Sequence, residues 1–356
     1  MLVNATRRDT SIELFGRKYP SPLLLAPVGV QEIMHQDGEE ATARAASALK
    51  LPMIVSTAAT RSLEQIAQAS NGGELWYQLY WPKPQSEEVT ASLLHRAKTN
   101  GYKVLVVTLD TFIIGWRPTD LDETYLPFIY GQGCQVGFSD PAFNRIYSEM
   151  SDERSASEKV GEAFTTIMKP GTLSGAAKVA TNASVIKKAR AWMDVMNSGT
   201  YREWEHLEIL KKLWDGPIVL KGIQRVEDAQ LAIKHGMDGI IVSNHGGRQL
   251  DGAIGSLDAL ADITADETVK NSGLTVLFDS GIRTGSDVVK AMALGAKGVL
   301  IGRPFMYGLA IDGERGCSHV LKCLLADTDN TLANLGKQNL QQLSKEDLQF
   351  HPTPRL

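Results

Sequence analysis

Along the chain, short apolar runs rich in Val, Ile and Leu alternate with longer segments in which apolar residues recur every three to four positions. The first pattern predicts buried strands and the second amphipathic helices. The strand-type runs are Leu23–Ala26, Met53–Ser56, Leu75–Leu79, Val104–Leu109, Ile218–Lys221, Gly239–Ser243, Thr275–Asp279 and Gly298–Ile301. Helical patterns follow at Glu39–Leu49, Ser62–Ala69, Ser86–Thr99, Val226–His235, Ser256–Thr264 and Gly285–Leu294, and again at Cys317–Leu325 and Thr331–Gln342. Strand-then-helix alternation implies a parallel sheet, and this many units is what an α/β-class (β/α)8 TIM barrel requires. One connection is out of proportion: the stretch from Leu109 to Ile218 holds an insertion at about 139–199, including the polar run Ser148–Lys159. Such an insertion is expected to be a functional lid or a disordered segment. With no repeat, low-complexity tract or clear linker, residues 1–356 read as one domain with a large excursion.

Composition narrows the function classes. The chain has 356 residues, 43% hydrophobic and 22% charged, which suits a folded enzyme and not a disordered chain. Lys+Arg minus Asp+Glu is 37 − 41 = −4, with no basic run, so nucleic acid is not an expected partner. Cys134, Cys317 and Cys323 are too sparse for a disulfide framework and point to a reducing intracellular compartment. No apolar run is long enough for a membrane span, and no membrane partner is expected. The last residues, Pro354-Arg355-Leu356, are a loose relative of a peroxisomal tail, so the expected location is cytoplasmic, or peroxisomal if that tail is read.

In a barrel of this kind the chemistry sits where strands end. There the chain places Gln78-Leu79-Tyr80, Thr108-Leu109-Asp110-Thr111, Leu220-Lys221-Gly222, Ser243-Asn244-His245-Gly246-Gly247-Arg248-Gln249, Asp279-Ser280-Gly281-Ile282-Arg283 and Gly302-Arg303. One base, one carboxylate, one lysine and several arginines thus converge on one face, a set suited to an anionic ligand and a proton acceptor. Gly281, Arg283, Gly302 and Arg303 lie in the loops where such barrels hold phosphate, against the plain alternative of two turns with surface arginines. Position alone leaves Lys221 open between a solvated lysine, a Schiff-base lysine and a cation for a cofactor's charge. A lone histidine is more often structural, but at His245 the flanking glycines allow close approach and Arg248 offers a bidentate grip on a carboxylate. Asp110 reads either as a cap or as the carboxylate that orients His245. No P-loop, Rossmann or zinc spacing occurs, and no metal is expected.

These residues resemble the FMN-dependent 2-hydroxy acid oxidases and dehydrogenases, which include glycolate oxidase, flavocytochrome b2 and lactate 2-monooxygenase. The Ser243–Gln249 run is similar to that family's active-site signature, and Leu25–Gly29, Gln78–Tyr80, Thr108–Thr111, Leu220–Gly222, Phe278–Thr284 and Ile301–Pro304 match in order, over roughly residues 7 to 345. Within the family the resemblance is strongest to lactate 2-monooxygenase, through Gly115–Pro118, Val28–Val30 and Leu277–Gly285. It implies FMN across the barrel mouth, with Pro27, Val28 and Gly29 against the ring, and Ser56, Gln78 and Thr108 at its polar edge. Lys221 would stand near the N1/O2 edge, while Asp279, Gly281, Arg283, Gly302 and Arg303 would complete the cofactor site. It further implies that His245 is the base, steadied by Asp110, and that Arg248 and Tyr80 bind the substrate. Arg117 would bind substrate too and support Asp110 in catalysis. The activity implied is oxidation of a small L-2-hydroxy acid, lactate-like, to the 2-oxo acid, with O2 as acceptor and monooxygenation as a variant; relatives of the family usually form homotetramers.

Two departures keep other readings open. Relatives carry a segment ahead of the point where this chain begins, including a tyrosine that helps hold the substrate carboxylate. Gly29 stands where simple oxidases often carry alanine, read either as a methyl removed near the flavin or as a tight turn. A family oxidase redirected to dehydrogenate a ring in secondary metabolism, a Schiff-base aldolase using Lys221, and a flavin-free binding barrel are the alternatives.

Overall fold

The computed structural model describes residues 3–123, 125–152 and 183–349. A short antiparallel hairpin, β1 (Ile12–Leu14) with β2 (Arg17–Tyr19), precedes eight strands: β3 (Leu23–Leu25), β4 (Met53–Ser56), β5 (Leu75–Tyr80), β6 (Leu105–Thr108), β7 (Ile218–Ile223), β8 (Gly239–Val242), β9 (Thr275–Phe278) and β10 (Gly298–Ile301). β3 to β10 pair in parallel, each with the next, and β10 pairs back onto β3, closing the barrel. All eight expected strands are present, so the (β/α)8 architecture is as the sequence implies.

Two apolar clusters separate by strand parity, because successive side chains of a strand point to opposite faces. Leu24, Ile54, Trp76, Val106, Val219, Ile241, Leu277 and Leu300, one from each strand, pack together inside the barrel. Their neighbours, such as Leu23, Leu25, Val55, Tyr77, Val107, Leu220 and Val242, belong to the other cluster, shared with the surrounding helices. The hairpin, which the sequence reading missed, joins the inner cluster through Ile12, Leu14 and Tyr19 and closes the N-terminal end. Its tip residue Phe15 meets Trp76 edge-to-face at 5.7 Å between ring centroids.

The helices fall within a residue or two of expectation up to β10. Beyond it, the two separate segments expected there are one run, Arg303–Asn334, broken at Asp312 and Gly313, where φ/ψ leave the helical region. Thr331–Gln342 is therefore not one helix: its start finishes the run at Asn334, Gly336 at φ 71° turns the chain away, and only a 3-10 turn at Leu340–Gln342 follows. Within the long β6–β7 excursion, helices at Pro141–Asp152 and Ala183–Met196 are present, Trp192 packing edge-to-face on Phe143 at 5.0 Å. The rest of the polar run to Lys159, like the C-terminal tail, lies outside the described residues. Cys134 and Cys317 are buried, Cys323 is exposed, and all three are free thiols. Among the described residues no helix is long and apolar enough to cross a membrane.

Candidate active site

Following the inward-facing parity toward the C-terminal ends of the strands, the apolar layer gives way to a polar one. Ile54 is succeeded by Ser56, Trp76 by Gln78, Val106 by Thr108, Val219 by Lys221, Ile241 by Ser243 and Leu277 by Asp279, all buried. Burying polar groups at this density is costly unless each is paired. The Gln78 side-chain oxygen accepts from Ser56 Oγ at 3.1 Å and from the Thr57 N–H at 3.3 Å. Those bonds identify Nε2 as the remaining donor, and it is buried without a partner among the described residues.

Lys221 is the electrostatic centre. Its Nζ donates to Ser243 Oγ at 3.1 Å and lies 3.6 Å from Asp279 Oδ2 and 3.7 Å from Asp110 Oδ2. Burial alone would lower its pKa, but the Asp279 and Asp110 carboxylates outweigh burial and raise it. A Schiff-base lysine has to shed its proton to attack a carbonyl; the two carboxylates beside Nζ favour the charged form instead. The pairing register with β8 shifts between Lys221 and Ile223. Gly222, at φ +103°, occupies that bulge, and a Cβ there would stand 2.7 Å from the Cβ of Asp110. Asp110 can fold over the strand only because that methyl is missing.

The Asp110 carboxylate accepts from His245 Nδ1 at 2.8 Å and from Thr111 Oγ1 at 2.9 Å. Burial pushes its carboxyl up, yet Lys221 and His245 together hold it at about 2. An ionised acceptor at Oδ1 places the imidazole proton on Nδ1 and leaves the Nε2 lone pair available. His245 itself sits at φ 57°, a left-handed conformation that costs on the order of 1–2 kcal/mol for a non-glycine residue. The loop bonds offset that cost: Asn244 Oδ1 accepts from the Gly247 N–H at 3.1 Å, the Gly246 N–H donates to Ser280 Oγ at 2.9 Å, and Ser280 donates to Asp279 at 2.7 Å. Arg303 donates to the Gly246 carbonyl at 2.9 Å, tying the start of the last helix to the same loop.

Arg117 does not touch Asp110 directly. Its guanidinium donates to the Arg248 carbonyl at 2.8 Å and to Gln249 Oε1 at 2.7 Å. Gln249 Nε2 donates in turn to the Asp110 carbonyl at 2.9 Å and to the Ile113 carbonyl at 3.0 Å. Gln249 is thus a clasp between the loop after β6 and the loop after β8, a role invisible in sequence because its partners lie more than a hundred positions away. Asp120 lies near both Arg117 and Arg248. Tyr80, at the end of β5, donates its N–H to Thr57 Oγ1 at 3.1 Å, and burial raises its hydroxyl pKa, keeping it a donor.

The loop after β3 is held from below. Glu39 accepts from the Thr60 N–H at 2.9 Å, from the Thr60 hydroxyl, and from the Gln31 N–H at 3.2 Å, while Gln31 Nε2 donates to the Val28 carbonyl at 3.0 Å. The anchored residue between them, Val30, is β-branched at φ 54°. A Cβ on Gly29 would stand 2.9 Å from both the Cβ and the carbonyl oxygen of Ala58. The missing methyl of Gly29 faces protein, a close approach to Ala58 that neither reading of this glycine had named.

Burial raises the Glu39 carboxyl pKa against those hydrogen bonds. A carboxyl raised on folding contributes stability that is present at low pH and lost as pH rises through its folded value. Glu39→Gln keeps an oxygen acceptor and removes the buried charge, so its Tm relative to the native chain is expected to climb between pH 4 and pH 8. A Tm difference flat across that range counts against this account.

On the far side of the mouth, Gly281 is at φ +91° with open space where a Cβ would point. Arg283 is exposed with no ion pair of its own among the described residues, and Gly302 immediately precedes the last helix. Of the residues given a role from sequence, all stand at this end of the barrel; Ser243, Gly222 and Gln249 lay in the strand-end runs without a role, and Asp120 and Glu39 were outside them. Ser243 was within reach of strand parity.

The model of the FMN-dependent dehydrogenase family matches residues 1–350. The chain belongs to that family. It is 46% identical over 339 residues to the FMN-dependent alpha-hydroxy acid dehydrogenase qulF of Penicillium citrinum, covering 95% of this chain and 76% of that one. It is 39% identical to an L-lactate oxidase of Lysinibacillus sphaericus, with 94% and 76% covered. A solved structure of an active chimera of (S)-mandelate dehydrogenase superposes with TM-score 0.76 at 34% identity, with 98% and 86% covered. The mouth suits the cofactor of an FMN-dependent family: a buried amide donor without a partner at Gln78, a fixed cation at Lys221, and unpaired Arg283 beside an open glycine turn are what a flavin's polar edge and phosphate demand.

Proposed function

We propose that this enzyme oxidises the α C–H of a small L-2-hydroxy acid, lactate-like, to the 2-oxo acid, with oxygen as the final acceptor. The observation that carries the reading is the chain Lys221, Asp110, His245, in which an ionised buried carboxylate fixes the imidazole tautomer at 2.8 Å. FMN, when bound, supplies the two-electron acceptor. His245 Nε2 takes the substrate proton, and Asp110 stabilises the imidazolium that results. Arg248 pairs with the substrate carboxylate, Arg117 stands beside it, and the Tyr80 hydroxyl donates to the substrate. Lys221, Ser56, Gln78, Thr108 and Asp279 would hold the polar edge of the flavin, Pro27, Val28 and Gly29 its face, and Gly281, Arg283, Gly302 and Arg303 its phosphate. The 39% identity to an L-lactate oxidase supports both the substrate class and oxygen.

The visible spectrum of the purified protein tests this, before and after anaerobic addition of L-lactate. A flavin spectrum that bleaches is the expected result. Bound flavin that stays oxidised with L-lactate and with other 2-hydroxy acids overturns the substrate assignment.

A further inference from the structure

Arg248 and Arg117, the two cations assigned above to the substrate, share one protein carboxylate. Asp120 Oδ2 lies 3.5 Å from Arg248 Nη2 and 3.7 Å from Arg117 Nη1. The two arginines are not equally committed. Arg117 is tied down by its bonds to the Arg248 carbonyl and to Gln249, whereas the Arg248 side chain, 46% exposed, has Asp120 as its one ion-pair partner among the described residues. Asp110, at the start of the same loop, is already engaged by His245 and Lys221. A single carboxylate oxygen within 4 Å of two guanidiniums is the arrangement an incoming substrate carboxylate would adopt.

We infer that Asp120 is an internal stand-in for the substrate carboxylate, neutralising Arg248 and Arg117 before substrate arrives and competing with the anion that binds there. Asp120 thereby sets the affinity for anionic substrate and product: it weakens both, and it keeps the 2-oxo acid from being retained between two uncompensated cations. Because Asp120 is about one-third exposed, the competition is screened and salt-dependent. The inference rests on the assignment of Arg248 to the substrate carboxylate, and the test separates the two.

The FMN-loaded enzyme is titrated with oxalate, which binds as a carboxylate and has no C–H to oxidise, and Kd is read from the perturbed flavin absorbance and from calorimetry. Asp120→Asn, which keeps an oxygen near the guanidiniums without the charge, is expected to lower Kd by about three- to tenfold, the range expected for a partly exposed ion pair. The dependence of its Kd on ionic strength is expected to steepen. Arg248→Met is expected to raise Kd more than about tenfold, and adding Asp120→Asn to it is expected to recover little. An unchanged or raised Kd in Asp120→Asn, with Tm intact, overturns the competition. An unchanged Kd in Arg248→Met overturns the carboxylate assignment itself. A gain from Asp120→Asn that persists undiminished in the Arg248→Met background makes Asp120 a contributor to the general field and overturns its pairing role.

Discussion

His245→Ala is expected to leave FMN bound and to slow its reduction by substrate by about 10²- to 10⁴-fold, the usual weight of a positioned general base. Among the strand-end groups, His245 alone combines an available ring nitrogen with an ionised partner at 2.8 Å. Lys221 is held protonated by Asp279 and Asp110, and Asp110, held at about 2, is too weak a base to take the proton in its place. Anaerobic stopped-flow bleaching of the flavin absorbance, with flavin content measured in parallel, reads both halves of the prediction. A rate within about tenfold of the native enzyme, with full flavin occupancy, removes His245 from the role of base. Asp110→Asn is expected to slow the same step while keeping the imidazole in place, because a neutral amide stabilises the imidazolium less than a carboxylate does.

Lys221→Met is expected to cost about 3–5 kcal/mol of stability, the penalty for leaving buried ionic partners without their counter-ion. Asp110 and Asp279 approach Nζ at 3.7 and 3.6 Å in a buried layer where methionine fills the volume but supplies no charge. The loss has a pH signature. In the native enzyme the Asp110 carboxyl is depressed to about 2, so its contribution to stability is complete above the ordinary carboxylate range and is lost as pH falls through about 2. Without the lysine the burial penalty acts with less opposition, the carboxyl titrates at higher pH, and acid unfolding begins earlier. Denaturant unfolding at pH 7 and an acid titration by circular dichroism provide the check. Adding Asp279→Asn to Lys221→Met is expected to restore part of the stability, since it removes one of the stranded charges. Native-like stability and an unmoved acid transition in Lys221→Met would show that Lys221 is not the counter-ion of this layer.

Most of the barrel was legible because its strands are short, buried on both faces and separated by helices with a different period. The site was legible for a related reason: polar residues at the ends of otherwise apolar strands, such as Gln78, Thr108, Lys221 and Asp279, have no packing reason to be there. The hairpin Ile12–Tyr19 was missed because three-residue strands carry almost no periodic signal, and its burial arises only once the barrel bottom exists to receive Ile12 and Leu14. The segment after Asn334 was assigned to helix because its apolar spacing suits one; Gly336 ends it through backbone conformation that spacing does not encode.

The order of residues alone yields the list of parts: eight strands, the polar residues at their ends, and a histidine flanked by glycines and an arginine. Those follow from local period and residue type. Their wiring came with the closed barrel. It put Lys221 between two carboxylates rather than in solvent, turned Gly29 toward Ala58, joined Arg117 to Asp110 through Gln249, and set Asp120 against both arginines. Each of these depends on distances between residues far apart in the chain, and such distances exist only after the barrel has closed.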